Sequence, residues 1–107
     1  MERHGSVIKV RPEHFEEYKR LHAEVWPDVL KMIAECNIRN YSIYHKDGYM
    51  FSYFEYVGND FKADMAKMAA DPTTQEWWAV VGPMQEPLAT RKKGEWWAEM
   101  EEVFHVE

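Results

Sequence analysis

The chain has 107 residues, of which 46% are hydrophobic and 30% charged, with a net charge of −6. That length sets a single domain, 1–107, with a modest core. The acidic balance excludes nucleic acid and anionic membranes as main partners, since both reward a basic face, and the single cysteine, Cys36, excludes an intrachain disulfide.

No apolar run approaches the roughly 20 residues that span a bilayer, and Met1–Gly5 lacks the apolar segment of a signal peptide, so a cytoplasmic location is expected. Ser6–Val10 reads as a first strand, short and β-branched, ended by Arg11-Pro12. Pro12 suits the first position of a helix, where its missing N–H is not needed. In that helix Phe15, Tyr18, His22 and Val25 fall on one stripe, while Glu16, Glu17, Arg20 and Glu24 face water. The apolar stripe thus carries a phenol and an imidazole one turn apart. A buried polar group left without a hydrogen bond costs about 1–3 kcal/mol, so each needs a partner or a ligand. Pro27 clashes with the carbonyl four residues back and forces a kink or restart. Val29, Leu30, Met32 and Ile33 then continue an apolar face to Cys36-Asn37.

Two strands follow, Ile38–His45 and Tyr49–Val57, joined by the hairpin signal Lys46-Asp47-Gly48. Tyr41 and Tyr44 point to opposite faces, so one of them meets the helices. Asn59 or Asp60 can cap a second helical region striped by Phe61, Met65 and Met68. Asp71-Pro72-Thr73-Thr74 restarts it, with Pro72 at the first position and Thr73 and Glu76 at capping-box spacing. The restarted helix holds Trp77, Trp78 and Val81 before Gly82-Pro83 stops it. Gln85–Gly94 reads as a polar, basic loop, and Glu99–Val106 as the last strand.

The order β-α-β-β-α-β gives an α+β fold of the ferredoxin-like split βαβ kind, a four-stranded antiparallel sheet with two helices on one face. The uncovered face of so apolar a sheet is expected to pair with a second copy, making a homodimer. His22 is the first candidate for chemistry, as a general acid–base near neutral pH or as a histidine held only for structure. The other histidines lie near segment ends or turns, and none has His-x-x-x-His or Cys/His spacing, so no metal site is expected. Trp77 and Trp78 lie about 100° apart on their helix, so one can be core while the other lines a cleft. Trp26 and the second pair, Trp96-Trp97, fit either a pocket or a dimer contact. With no phosphate loop, nucleophile elbow or paired cysteines, an enzyme built this way does proton chemistry without a cofactor on a small uncharged molecule.

The motifs His14-x-x-Glu17-Tyr18-x-x-x-His22-x-x-x-Trp26-Pro27, Asn40-Tyr41-x-Ile43-Tyr44, Gln75-x-Trp77-Trp78 and Met100-Glu101-Glu102-Val103-Phe104 run nearly end to end. Together they resemble the L-rhamnose mutarotase family. The resemblance implies a dimeric α/β barrel and cofactor-free interconversion of the α and β anomers of L-rhamnose. It further implies His22 as proton donor, with Tyr18, Tyr41, Trp77 and Trp78 contacting the sugar. Three alternatives use the same aromatic pocket: a mutarotase for another 6-deoxy sugar such as L-fucose, a dimeric α/β-barrel monooxygenase, and a non-catalytic sugar-binding module.

Overall fold

The computed structural model describes all residues, 1–107. Strand β1 (Glu2–Val10) leads through a 3-10 turn (Pro12–His14) into α1 (Phe15–Ala23) and α2 (Pro27–Glu35). Strands β2 (Ile38–Lys46) and β3 (Tyr49–Tyr56) form the hairpin, followed by α3 (Phe61–Ala70) and α4 (Pro72–Val81). A second 3-10 turn (Gly82–Met84) precedes the short strands β4 (Gln85–Glu86) and β5 (Ala98–Met100). The sheet is antiparallel in the order β2-β3-β1-β4, with β5 also paired to β1. This is the expected α+β arrangement, with five strands in the sheet rather than four and each of the two helical regions broken in two by a proline.

Both breaks follow from local chemistry. Trp26 leaves helical geometry (φ −57°, ψ 132°) and Pro27 opens α2 at its first position. At the second break Asp71 ends α3 and caps α4, its carboxylate accepting from the Thr74 N–H at 2.9 Å and the Thr74 hydroxyl at 2.8 Å. The cap is therefore Asp71, two residues before the Thr73 that the sequence spacing singles out. Asp71→Ala should lower stability by about 1 kcal/mol, read as a shifted denaturant midpoint at unchanged slope. Asp60 caps α3, as expected, by accepting from Ala63 N–H at 3.1 Å. In the hairpin, Asp47 and Gly48 both take positive φ (52° and 83°), the conformation for which Asp-Gly is suited.

Two expectations need correction. Gln85 and Glu86, read as loop, pair with Val10 and Lys9 of β1. The last strand pairs only over Ala98–Met100, against Val7, Ser6 and Gly5. That antiparallel register carries Glu102 to Arg3, which binds it at 2.8 and 3.0 Å, and there β1 runs out. Residues 101–107 continue unpaired and exposed, with Val103, Phe104 and Val106 in water.

The core is Ile8, Val10, Tyr18, Val29, Met50, Trp77, Val81 and Met84, between one face of the sheet and the helices. Ile8 faces Met50 across β1–β3, so residues of that parity meet the helices. A bulge between Arg39 and Ser42 shifts β2, with Asn40 at φ 49°. The shift turns Tyr41 to the helix side, where its ring meets the edge of Phe54, and leaves Tyr44 69% exposed on the other side.

Candidate active site

Helix α1 builds the site's floor. Its stripe is buried at Tyr18 and half-buried at Phe15, Leu21 and His22. Tyr18 is 4% exposed and belongs to the core, yet its hydroxyl is not orphaned, because Gln85 Nε2 donates to it at 3.0 Å. One turn on, the His22 ring stacks on the Tyr18 ring (centroids 4.1 Å, 21° between planes) and meets Trp77 edge-on at 5.2 Å. Trp77 in turn meets Trp26 edge-on at 5.2 Å. Four aromatic rings thus line up from α1 across to α4.

The protonation of His22 is fixed by its partner. Nδ1 lies 2.7 Å from the Tyr18 carbonyl oxygen, which can only accept, so Nδ1 carries the hydrogen. Burial pushes the His22 pKa below its ordinary 6.5, opposed by that backbone hydrogen bond. The imidazole is therefore neutral at pH 7, with a lone pair on Nε2. Nε2 makes no hydrogen bond within the chain, and no buried side-chain nitrogen or oxygen is left unpartnered, so Nε2 opens to solvent.

The Tyr18 phenol is driven the other way. Burial raises its pKa above 10 and the bond from Gln85 lowers it in part, so it stays protonated. Tyr41 is 44% exposed, and partial desolvation among its neighbours, with Tyr18 nearby, pushes its pKa up to about 12. No Asp, Glu, Lys or Arg side chain contributes to the shift of His22, Tyr18 or Tyr41. The site offers a neutral base, protonated phenols and aromatic faces, a combination suited to an uncharged, hydroxyl-bearing ring.

The five residues singled out from sequence do not all sit alike. The His22 ring contacts both Tyr18 and Trp77, and Tyr41 faces the same side of the sheet. Trp78 is 45% exposed on α4 and pairs with no other ring in the chain. Of the undecided tryptophans, Trp26 belongs to the row of rings and Trp97 packs against the core. Trp96 donates from Nε1 to Gln85 Oε1 at 2.7 Å. Gln85 escaped the sequence reading altogether, since a single glutamine after Gly82-Pro83-Met84 has no periodic or motif signal.

Elsewhere the chain brings together no three His, Cys, Asp or Glu side chains able to hold a metal ion. A hollow of about 330 Å³ lies at the C-terminal end of β1, lined by Lys9, Arg11, Asp47, Tyr49 and Glu86 among others. Its two cations are already spent on Glu86, at 3.9 and 3.3 Å. No helix is long and apolar enough to cross a membrane.

A sequence model of L-rhamnose mutarotase matches residues 3–106. An L-rhamnose mutarotase of Ligilactobacillus salivarius is 31% identical over 108 residues, covering 96% of this chain and 95% of its own. One of Listeria monocytogenes serovar 1/2a is 34% identical over 86 residues, covering 80% and 82%. Among solved structures, the L-rhamnose mutarotase of Formosa agariphila superposes with a TM-score of 0.79 at 19% identity, covering both chains fully. Tetracenomycin F2 cyclase of Streptomyces glaucescens, a polyketide cyclase, superposes at 0.75 with 18% identity, covering 100% of this chain and 98% of that one. These two superpositions establish a shared fold.

Proposed function

The chain belongs to the L-rhamnose mutarotase family, and on that premise we propose how its residues exchange the α and β anomers of L-rhamnose. His22 Nε2 takes the proton of the anomeric hydroxyl. As that oxygen becomes the aldehyde oxygen, the bond from C1 to the ring oxygen breaks, and the Tyr18 hydroxyl gives its proton to the ring oxygen. Rotation about C1–C2 presents the other face of the aldehyde. On reclosure the oxygen that now bears the Tyr18 proton attacks C1, Tyr18 takes its proton back, and the imidazolium returns its proton to the anomeric oxygen. Atoms and charge balance over the cycle, with no redox step. His22 is thus an acceptor in opening and the donor in closing.

One observation carries this reading: a neutral imidazole whose Nδ1–H is tied to the Tyr18 carbonyl, leaving Nε2 free beside a protonated phenol. Positioned acid–base pairs of this kind contribute about 10²–10⁴-fold. Trp77 and Trp78 offer indole faces to the C–H side of the pyranose, and the Tyr41 hydroxyl offers a polar contact to its hydroxyls. Exchange NMR between the two L-rhamnose anomeric signals, with and without protein, tests the function. Exchange should quicken in proportion to protein and more for L-rhamnose than for L-fucose. Rates unchanged by protein would leave only a binding module.

The working unit is a homodimer. Tyr44, Tyr49, Phe51 and Met100 stand 69%, 40%, 39% and 39% exposed on the helix-free side of the sheet, a contiguous apolar surface in need of cover. The overhang beyond Glu102 adds Val103, Phe104 and Val106 with unpaired backbone beside them. Light scattering should return twice the 12.8 kDa of one chain; a mass near 12.8 kDa at micromolar concentration would remove the dimer. A cytoplasmic location suits the single buried thiol, Cys36, which a reducing compartment keeps free.

A further inference from the structure

Gln85 moves no proton in the steps above, yet it touches the group that does. It is 6% exposed, on β4 opposite Val10, with both ends of its amide engaged. Its Oε1 accepts from Trp96 Nε1 at 2.7 Å, and its Nε2 donates to the Tyr18 hydroxyl oxygen at 3.0 Å. An indole nitrogen can only donate, so the amide must present its oxygen to Trp96 and its NH₂ to Tyr18. The phenol oxygen is then an acceptor in that bond, and no atom of the chain accepts its proton. The hydroxyl proton is thus left without an acceptor inside the chain.

We infer that Gln85, oriented by Trp96, is a positioning residue that holds Tyr18 as a proton donor to the substrate and prevents the opposite polarity. This rests on the role given to Tyr18 above. A flipped amide would take the Tyr18 proton on its own oxygen. The phenol would then show the sugar only lone pairs, and the ring oxygen would depart without a proton. The loop between β4 and β5 thereby sets the direction of the site's acid through two consecutive hydrogen bonds. The same bond from Gln85 works against the burial that raises the Tyr18 pKa, keeping the phenol a stronger acid than its surroundings alone would.

Gln85→Leu, of similar size and without hydrogen-bonding groups, removes the control. In the folded dimer it should lower kcat for L-rhamnose anomer exchange by about tenfold, with KM within about threefold. The loss should vanish when the change is made in a Tyr18→Phe protein, where no hydroxyl remains to orient. Trp96→Phe leaves Gln85 in place but frees its amide to flip, and should give a smaller kcat loss that also vanishes with Tyr18→Phe. Trp96 is 47% exposed, so this variant decides the matter on the same criteria if Gln85→Leu does not fold. A folded variant with unchanged kcat, or a loss as large in the Tyr18→Phe background as in the wild type, would overturn the inference. Tyr18→Phe at full rate would instead remove the acid role of Tyr18 itself, whereas a slow Tyr18→Phe beside a full-rate Gln85→Leu removes only the part assigned to Gln85.

Discussion

His22→Ala should lose about 10²–10⁴-fold of the protein-dependent anomer exchange while the protein stays folded. His22 is half-buried, and its single hydrogen bond in the chain runs to a carbonyl of its own helix, four residues back. That carbonyl sits in helix α1, so the hydrogen bond ties no second element to the first. Its packing against Tyr18 and Trp77 is worth something, but the ring makes no hydrogen bond to a side chain. Truncation therefore strands no buried donor or acceptor, and the melting temperature should fall by only a few degrees. Tyr18→Phe keeps the stacked ring and deletes the hydroxyl, so its rate should fall between wild type and His22→Ala. Full exchange activity in a folded His22→Ala protein would end the base assignment.

Trp77→Ala should cost about 3–5 kcal/mol, read from denaturant midpoints at one protein concentration. Trp77 is 6% exposed and packs in the core cluster with Tyr18, Val29, Val81 and Met84, besides touching His22 and Trp26. It is core and also touches the His22 ring, so its loss empties a large volume and releases that ring. Trp78, at 45% exposed, has no such burden. Trp78→Ala should leave stability within about 1 kcal/mol and raise KM instead. A stable, full-affinity Trp78→Ala protein would take that indole out of the sugar site.

The uneven fates of these two tryptophans reflect what a sequence carries. Helical spacing put Tyr18 and His22 on one stripe, and proline placed the breaks at Trp26-Pro27 and Asp71-Pro72, because these effects act within a few residues. The first strand starts four residues before its β-branched run, at Glu2, because Glu2, Arg3, His4 and Gly5 are held by pairing with Tyr56, Glu55, Phe54 and Tyr53. No local propensity announces such a partner. Tyr41 and Tyr44 could not be told apart for a related reason. The bulge at Arg39–Ser42 lets Ile38 and Tyr41, three residues apart, share a face that strict alternation would deny them. Gln85 was invisible because its role depends on Tyr18 and Trp96, which are 67 and 11 residues away. The state of His22 likewise came from structure: only the Nδ1 bond to the Tyr18 carbonyl and the burial of the ring make it a resting acceptor.

That state is the centre of the mechanism, and the pH profile of kcat/KM for L-rhamnose anomer exchange tests it most directly. A base must be unprotonated to work, and burial holds the His22 pKa below 6.5. Corrected for spontaneous exchange, the rate should be flat at neutral pH and fall as acid protonates Nε2, with a midpoint below 6.5 that is absent from the His22→Ala protein. A rate that instead rises as pH drops through this range would make the imidazolium the active form and contradict a resting, neutral His22.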